Sequence, residues 1–465
     1  MPRPLEKIRV MDLTQVFAGP TCTRILADLG AEVIRLESPN RMDITRALLH
    51  VDNDGKDVPW ERALYFTIRN AGKKEIVVDL NRERGRELLR GLIAQSDVVA
   101  ESFTPRVMRA FELDYEHVRA IKPDIIMISL SGYGQSGPYA DWSAYGMGLE
   151  PASGVSQLTG YPGGPPMRSG LSFTDPYSGF IGAGAVLAAL HYRRRTGKGQ
   201  FIDLSEQEAA IPLAGAALMD FAMNGRLPER MGNRSPHAAP QGCYRCRGDA
   251  FGKLSAGDDW LVISIETDAE WEAFCRAAGH AEWAADERFA DVLGRRRHHD
   301  ELDKLIESWT REQDHYDAFH LLQRAGVKAA PVLNGKEILR DPHFKERRHF
   351  DVVDQPHQGR RPVQRHLGAE FGHEAVAAGD DFEASAQGPA PGFGEHNREV
   401  LGGLLGLSDD ELRDLESQGV IATKPKLPVP PSIVSQALQL PYDRFLEAGI
   451  LRAIEPDYKK QLGLE

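Results

Sequence analysis

Asp175 stands in the run Leu171-Ser-Phe-Thr-Asp175-Pro-Tyr-Ser-Gly179, just ahead of a long apolar stretch. Asp followed by Pro at a helix start reads as an N-cap. A carboxylate held by helix N-terminal N–H groups is also kept ionised and aimed, which suits a nucleophile. The residues alone leave both roles open. Gly132-Tyr133-Gly134-Gln135-Ser136-Gly137 follows a strand with dinucleotide-fingerprint spacing, but it continues into Pro138 and polar residues rather than an apolar helix, so it reads as a tight turn. Cys243 and Cys246 have metal or redox spacing without a second ligand pair or a thioredoxin-like unit around them. His298 and His299 lie among Arg295 to Arg297, which repels a cation, and read as solvated surface. Arg69, Lys73, Lys74, Arg106 and Arg109 cluster near expected strand ends, as solvated residues or as a local phosphate site.

The elements that must position these groups alternate. Short β-branched runs at 8–11, 32–36, 76–78, 97–99 and 125–128 read as strands, with amphipathic helices between them at 21–29 and 82–94. That alternation implies parallel pairing through crossovers, the doubly wound Rossmann-like layout, whose ligands bind at the carboxyl ends of the strands. An apolar helix is expected from about Pro176 to Arg193, closed by basic residues 193–195 and a Gly197-Lys198-Gly199 turn, then a strand at 201–204 and a helix opened by Ser205. Residues 226–259 read as a long loop. A smaller α+β domain follows, with strands at 261–265 and 328–333 and several helices between them. Asp380 to Pro391 reads as an exposed loop, 395–407 and 409–418 as helices, and Leu427 to Pro431 as a proline-rich entry to a tail.

The composition bounds the function. The chain has 465 residues, 42% of them hydrophobic, with 45 Gly and 29 Pro, which favours a folded α/β protein over a helical bundle. A net charge of −12 without long charge runs argues against general affinity for nucleic acid or an anionic membrane. Four cysteines are too few for a disulfide framework, the N-terminus lacks a secretion pattern, and no apolar stretch approaches membrane-spanning length, so a soluble protein of the reducing cytoplasm is expected.

Several ordered runs resemble the class III CoA-transferases, the family of formyl-CoA transferase, carnitine CoA-transferase and α-methylacyl-CoA racemase. They are Pro4-Leu-Glu-Lys-Ile-Arg-Val-Met-Asp-Leu-Thr14, Ala18-Gly-Pro20, Ala27-Asp-Leu-Gly-Ala-Glu-Val-Ile-Arg-Leu-Glu37, Ser131-Gly-Tyr-Gly-Gln-Ser-Gly-Pro138 and Arg195-Thr-Gly-Lys-Gly-Gln200. Gly326-Val-Lys-Ala-Ala-Pro-Val332, Asp341-Pro342 and Pro391-Gly-Phe-Gly-Glu-His-Asn-Arg-Glu-Val-Leu401 continue the likeness, which spans roughly residues 4 to 420. It implies a Rossmann-like large domain built from residues 1–225 and 346–424, an inserted smaller α+β domain with its linker at 226–345, a tail at 425–465 outside the family, and two protomers interlocked as a homodimer or as a heterodimer with a related subunit.

The resemblance also implies chemistry. Asp175 becomes the nucleophile that attacks an acyl-CoA. The mixed anhydride and then the aspartyl-CoA thioester follow, and no metal, redox group or tightly bound cofactor is required, with CoA and acyl-CoA as substrates. An ordinary Asp, with a pKa near 3.9, needs no general base to attack. Backbone N–H groups at Phe17 and Ala18 would receive the oxyanion. Val16 and Ala18 would hold the thioester arm, Lys73 and Lys74 the adenine and phosphates, Phe103 the cofactor face, and Arg106 or Arg109 a phosphate, while Tyr133 would flank the reacting carbons. Departures matter too. Phe17 replaces the glutamine of formyl-CoA transferase, with Gln15 two residues earlier, and argues for an acceptor bulkier or more apolar than oxalate. Ser38 replaces a basic CoA contact, with Arg41 or Arg46 as substitutes, and the family's glycine-rich loop has no clear counterpart. Tyr145 stands where the racemases carry a histidine base, which speaks against racemisation. The rivals are a CoA-binding, less active subunit of a heteromeric transferase, an acyl-CoA racemase or epimerase, and a dinucleotide oxidoreductase.

Overall fold

The apolar runs of the first two hundred residues pair side by side. β1 (Arg9–Asp12), β2 (Glu32–Glu37), β3 (Lys74–Val77), β4 (Val98–Glu101), β5 (Ile126–Ser131) and β6 (Gln200–Ser205) form one sheet in the order β3-β2-β1-β4-β5-β6. Every neighbouring pair is parallel. In the computed structural model, residues 3–55, 57–248, 258–369, 371, 384–426, 446–447, 451 and 453–465 are described. The proline-rich entry at Leu427 to Pro431 and the start of the loop expected from Asp380 lie outside them.

The helices are α1 (Ala18–Asp28), α2 (Leu64–Asn70), α3 (Glu83–Ile93), α4 (Pro105–Ala110), α5 (Tyr115–Ile121), α6 (Gly146–Ala152), α7 (Val155–Leu158), α8 (Thr174–Thr196), α9 (Glu206–Ala210) and α10 (Gly215–Asn224), of which α3 and α5 cover one face of this sheet and α1 and α8 the other. Neighbours along a strand point to opposite faces. Met11, Ile34 and Ile76 therefore pack with Leu88 and Leu92 of α3 and with Val400, Leu401, Leu412 and Leu415 near the other end of the chain. Val10, Val33 and Val98 pack on the other face with Ile25 and Leu26 of α1 and with Ala183 and Val186 of α8. Burial on both faces is why these strands read as continuous apolar runs rather than alternating ones. Strand order reverses between β1 and β4, which opens a crevice at their carboxyl ends.

β7 (Gln241–Arg245), β8 (Trp260–Ser264) and β9 (Lys328–Val332) form a separate antiparallel sheet around Leu261, Ile263, Trp271 and Phe274. β7 falls inside the stretch expected to be a loop. Its Gly and Arg content hides a half-buried strand of alternating burial. His299 is likewise not on the surface: it is buried and accepts a hydrogen bond from the Gln241 N–H at 3.1 Å. β10 (Phe350–Gln355) and β11 (Gly359–Gln364) make a hairpin that alternation of polar and apolar residues did not disclose.

Beneath the carboxyl ends of β1, β2 and β3 lies a buried ionic cluster. Arg35 reaches Asp43 at 2.6 Å, Arg46 reaches Glu37 at 2.8 Å and Glu75 at 2.7 Å, and Lys73 reaches Asp12 at 3.0 Å, all seven side chains being sealed from solvent. The Lys73 ammonium also donates to Pro20 O, Thr23 Oγ1 and Asn70 Oδ1. This corrects two expectations: Lys73 and Arg46 have no donor left for a CoA phosphate and no surface to offer it. Removing one member of such a cluster strands its partners without compensation. Arg46→Met is expected to lower the free energy of unfolding by about 3–5 kcal/mol, measured by denaturant titration, because Glu37 and Glu75 stay buried.

Candidate active site

The turn from β1 into α1 is tied down residue by residue. Asp12 Oδ1 accepts from the Thr14 N–H at 3.0 Å and from Thr14 Oγ1 at 2.5 Å. The Gln15 N–H donates to Ser102 Oγ at 3.0 Å, and the Val16 N–H donates to Asp43 Oδ2 at 3.1 Å. Val16 has φ +69°, a conformation that β-branched residues rarely tolerate. Burial pushes the Asp43 carboxyl up, but Arg35 and the N–H groups of Thr45 and Val16 outweigh it and hold the group below its ordinary value. Asp43 can therefore hold Val16 as a full carboxylate. Phe17 follows, its ring 3.4 Å from the Arg69 guanidinium and edge-on to Tyr65. Among the described residues, neither the Phe17 nor the Ala18 N–H has a hydrogen-bond acceptor. These are the orphan donors of a helix start.

They open on a cavity of about 270 Å³ at the crevice between β1 and β4. Its wall takes Gln15, Val16, Phe17 and Ala18 from the first turn, Ser102, Phe103 and Arg106 from the turn into α4, Trp142 to Gly146, and the carboxyl groups of Asp175 and Glu206. Asp175 lies within the first turn of α8, whose cap position is Phe173. It is thus not the N-cap that the Asp-Pro pair suggested, and its side chain is free to face the cavity. Gly146 makes room for it: a Cβ there would lie 2.0 Å from Asp175 Oδ1. Oδ1 is buried and has no regular hydrogen bond.

The Asp175 carboxyl is not an ordinary aspartate. Burial pushes it up to about 6, and the Glu206 side chain, the Arg69 charge and the Gly146 N–H pull in the opposite direction. The ionised form still predominates at neutral pH. Glu206, against which Asp175 rests, is pushed well above the ordinary carboxylate range by burial and by the Asp175 charge.

Of the residues singled out from sequence, Gln15, Val16, Phe17, Ala18, Arg41, Phe103, Arg106 and Asp175 line the cavity. Arg41 and Arg106 are exposed and have no ion-pair partner among the described residues. Tyr133 is not on the wall; it packs against Tyr139 and Trp142 behind it. Arg109 is exposed and lies outside the lining, and Lys74 is paired with Glu32 and Glu399, each at 2.7 Å. Glu206 is the residue that the sequence reading passed over; Arg69, grouped there with solvated or phosphate-site cations, is instead buried over Phe17 with its charge bearing on Asp175. An acidic residue after the Ser205 cap looks like routine helix-start chemistry, and only the pairing of β6 beside β5 carries it to the head of α8.

CoA-transferase family III matches residues 5–397, and the chain belongs to that family. Succinyl-CoA–D-citramalate CoA-transferase of Chloroflexus aurantiacus is 34% identical over 420 residues, covering 90% of this chain and 98% of that one. Formyl-CoA:oxalate CoA-transferase of Streptomyces avermitilis is 32% identical over 438 residues, covering 90% and 100%. The crystal structure of a CAIB/BAIF family protein from Brucella suis superposes with a TM-score of 0.75 at 31% identity, covering 87% and 100%. With relatives of this kind along nine-tenths of its length, the chain is a CoA-transferase. Among the described residues no helix is long and apolar enough to cross a membrane.

Because the Gly146 Cβ position is already filled by the Asp175 carboxylate, Gly146→Ala displaces that carboxylate. A misplacement of about 1 Å costs on the order of 100-fold. Steady-state kinetics should show kcat falling by that factor while KM for acyl-CoA changes little.

Proposed function

We propose that this chain moves CoA from a donor acyl-CoA to a carboxylic acid through an aspartyl-CoA thioester on Asp175. The observation that carries the reading is a buried, partly unpartnered carboxylate facing a cavity at the strand-order reversal, opposite free N–H groups. One Asp175 oxygen attacks the thioester carbon, the C–S bond breaks, and CoA leaves as thiolate from a mixed anhydride. The thiolate attacks the aspartyl carbonyl and expels the donor acid as carboxylate. The acceptor carboxylate attacks the aspartyl thioester and releases CoA thiolate, which then attacks the acceptor's carbonyl in the new anhydride and frees Asp175. One negative charge passes from carboxylate to thiolate and back at each exchange. The Phe17 and Ala18 N–H groups, unpaired on the same cavity wall, support this reading as donors to an oxyanion on the substrate's acyl carbon.

The names of the relatives, citramalate and oxalate transferases, support a dicarboxylic acid as one partner. Phe17 against Arg69 supports one larger than oxalate, with apolar carbons between its acid groups. Arg41 and Arg106 at the mouth are the cations offered to CoA phosphates. We read residues 1–225 and 346–424 as one large domain with 226–345 inserted, supported by the core that residues 400–415 share with β1 to β3. An interlocked dimer is supported by the exposed apolar side chains of Phe180, Ile181 and Leu187 on α8 and Leu218, Phe221 and Met223 on α10. The four unpaired cysteines suit a reducing cytoplasm.

Incubation with acyl-CoA, quenching, and hydroxylamine or borohydride trapping should leave a mass-shifted peptide at Asp175. Asp175→Ala should lose the adduct and at least about 1,000-fold in kcat; retained turnover in that variant overturns the mechanism. Arg41→Ala and Arg106→Ala should each raise KM for acyl-CoA about tenfold, with kcat nearly unchanged and with the effect shrinking at high salt.

A further inference from the structure

We propose that Glu206, as a neutral carboxylic acid, donates a hydrogen bond to one oxygen of Asp175, leaving the other to attack and polarising the first when it becomes the aspartyl carbonyl. This rests on the reading of Asp175 as the nucleophile. Glu206 occupies the first turn of α9 and lines the same cavity as Asp175, each carboxyl group shifting the titration of the other. The start of α9 is rigidly placed. Ser205 Oγ accepts from the Glu208 N–H at 3.2 Å, the Gln207 N–H donates to Gly132 O at 3.1 Å, and Gln207 Nε2 donates to Ala152 O at 2.7 Å.

Two carboxyl groups in contact inside a protein cannot both be ionised at little cost, so the pair holds one proton near neutral pH. The surroundings decide where it sits. Arg69 from α2 and the Gly146 N–H from α6 both favour charge on Asp175, whereas among the described residues the charged group that bears on Glu206 is Asp175 itself. Arg41, Arg106 and Tyr145 stand on the same cavity wall. The proton therefore belongs to Glu206 and the charge to Asp175, the state a nucleophile requires. The strong upward displacement of Glu206 agrees with that assignment.

The arrangement assigns two donor sets to two carbonyl centres. The N–H groups of Phe17 and Ala18 face the substrate's acyl oxygen, and Glu206 faces the aspartyl oxygen. When the thiolate adds to the aspartyl carbon, charge builds on the oxygen already bonded to Glu206, and the bond strengthens as it is needed. Glu206 keeps its proton throughout, so no co-reactant enters the balance.

The test is the pH dependence of kcat and kcat/KM for Glu206→Gln and Glu206→Ala between pH 5 and 9, with Asp175 adduct trapping in each. Wild type should lose activity below an apparent value near 6, as Asp175 protonates, and again on the alkaline side, as Glu206 ionises. Glu206→Gln keeps a donor but cannot ionise: it should retain most of the neutral-pH kcat and lose the alkaline limb. Glu206→Ala should lose about 100- to 1,000-fold in kcat with little change in KM. Its acid limb should move upward, because the ionised Asp175 has lost a donor. A Gln variant as damaged as Ala, or an Ala variant with wild-type kcat and profile, overturns the proposal. An adduct trapped in wild type alongside either result shows that only the Glu206 role has failed. Absence of any wild-type adduct sinks the nucleophile as well.

Discussion

The contact on which the site depends most is the one between Asp43 and the Val16 backbone. A valine at φ +69° is a conformation the chain would leave if it could, at a cost of order 1–3 kcal/mol. Asp43 prevents that by accepting the Val16 N–H while its own charge is held by Arg35 at 2.6 Å. With Val16 locked, Phe17 becomes the cap residue of α1, its ring meets Arg69, and the first N–H groups of the helix are presented to the cavity rather than to their own chain. Asp43, Arg35 and the strand ends they brace thus shape the cavity wall from outside it.

The same cluster explains why cations near strand ends mislead. Arg35, Arg46 and Lys73 face Asp12, Glu37, Asp43 and Glu75, so carboxylates outnumber cations by one. The surplus is relieved at Glu75, which burial and Glu37 push well above the ordinary carboxylate range although Arg46 opposes the shift. A near-neutral buried lattice stiffens the ends of three strands, and the cost of desolvating its members is offset by their mutual pairing. The cations left for a polyanionic ligand are those such as Arg41 and Arg106, which the lattice does not use.

Legibility in the sequence followed the range of the interaction. All six strands of the large sheet were visible because their apolar runs are local, and parallel pairing followed from the helices between them. Asp175 was visible through its neighbours in the chain and the family resemblance. Lys73 and Lys74 differ by one position, yet one is sealed in the lattice and the other sits between surface carboxylates, a distinction that lies in the pleat of β3 and not in residue type. Glu206 was silent because its partner is 31 positions away, brought close only by β6 closing the sheet. β7, rich in Gly and Arg, has its pattern imposed by β8.

The 23 residues of α8 carry Asp175 at one end and end in Arg193 to Arg195 at the other, with Phe180, Ile181, Leu187 and Tyr192 uncovered between them. A helix of that length is a stiff rod roughly 35 Å long. A shift of that rod carries its first turn, and the Asp175 side chain with it. Asp175 and the exposed flank belong to one rigid element, so the position of the carboxylate and that of the flank are set together.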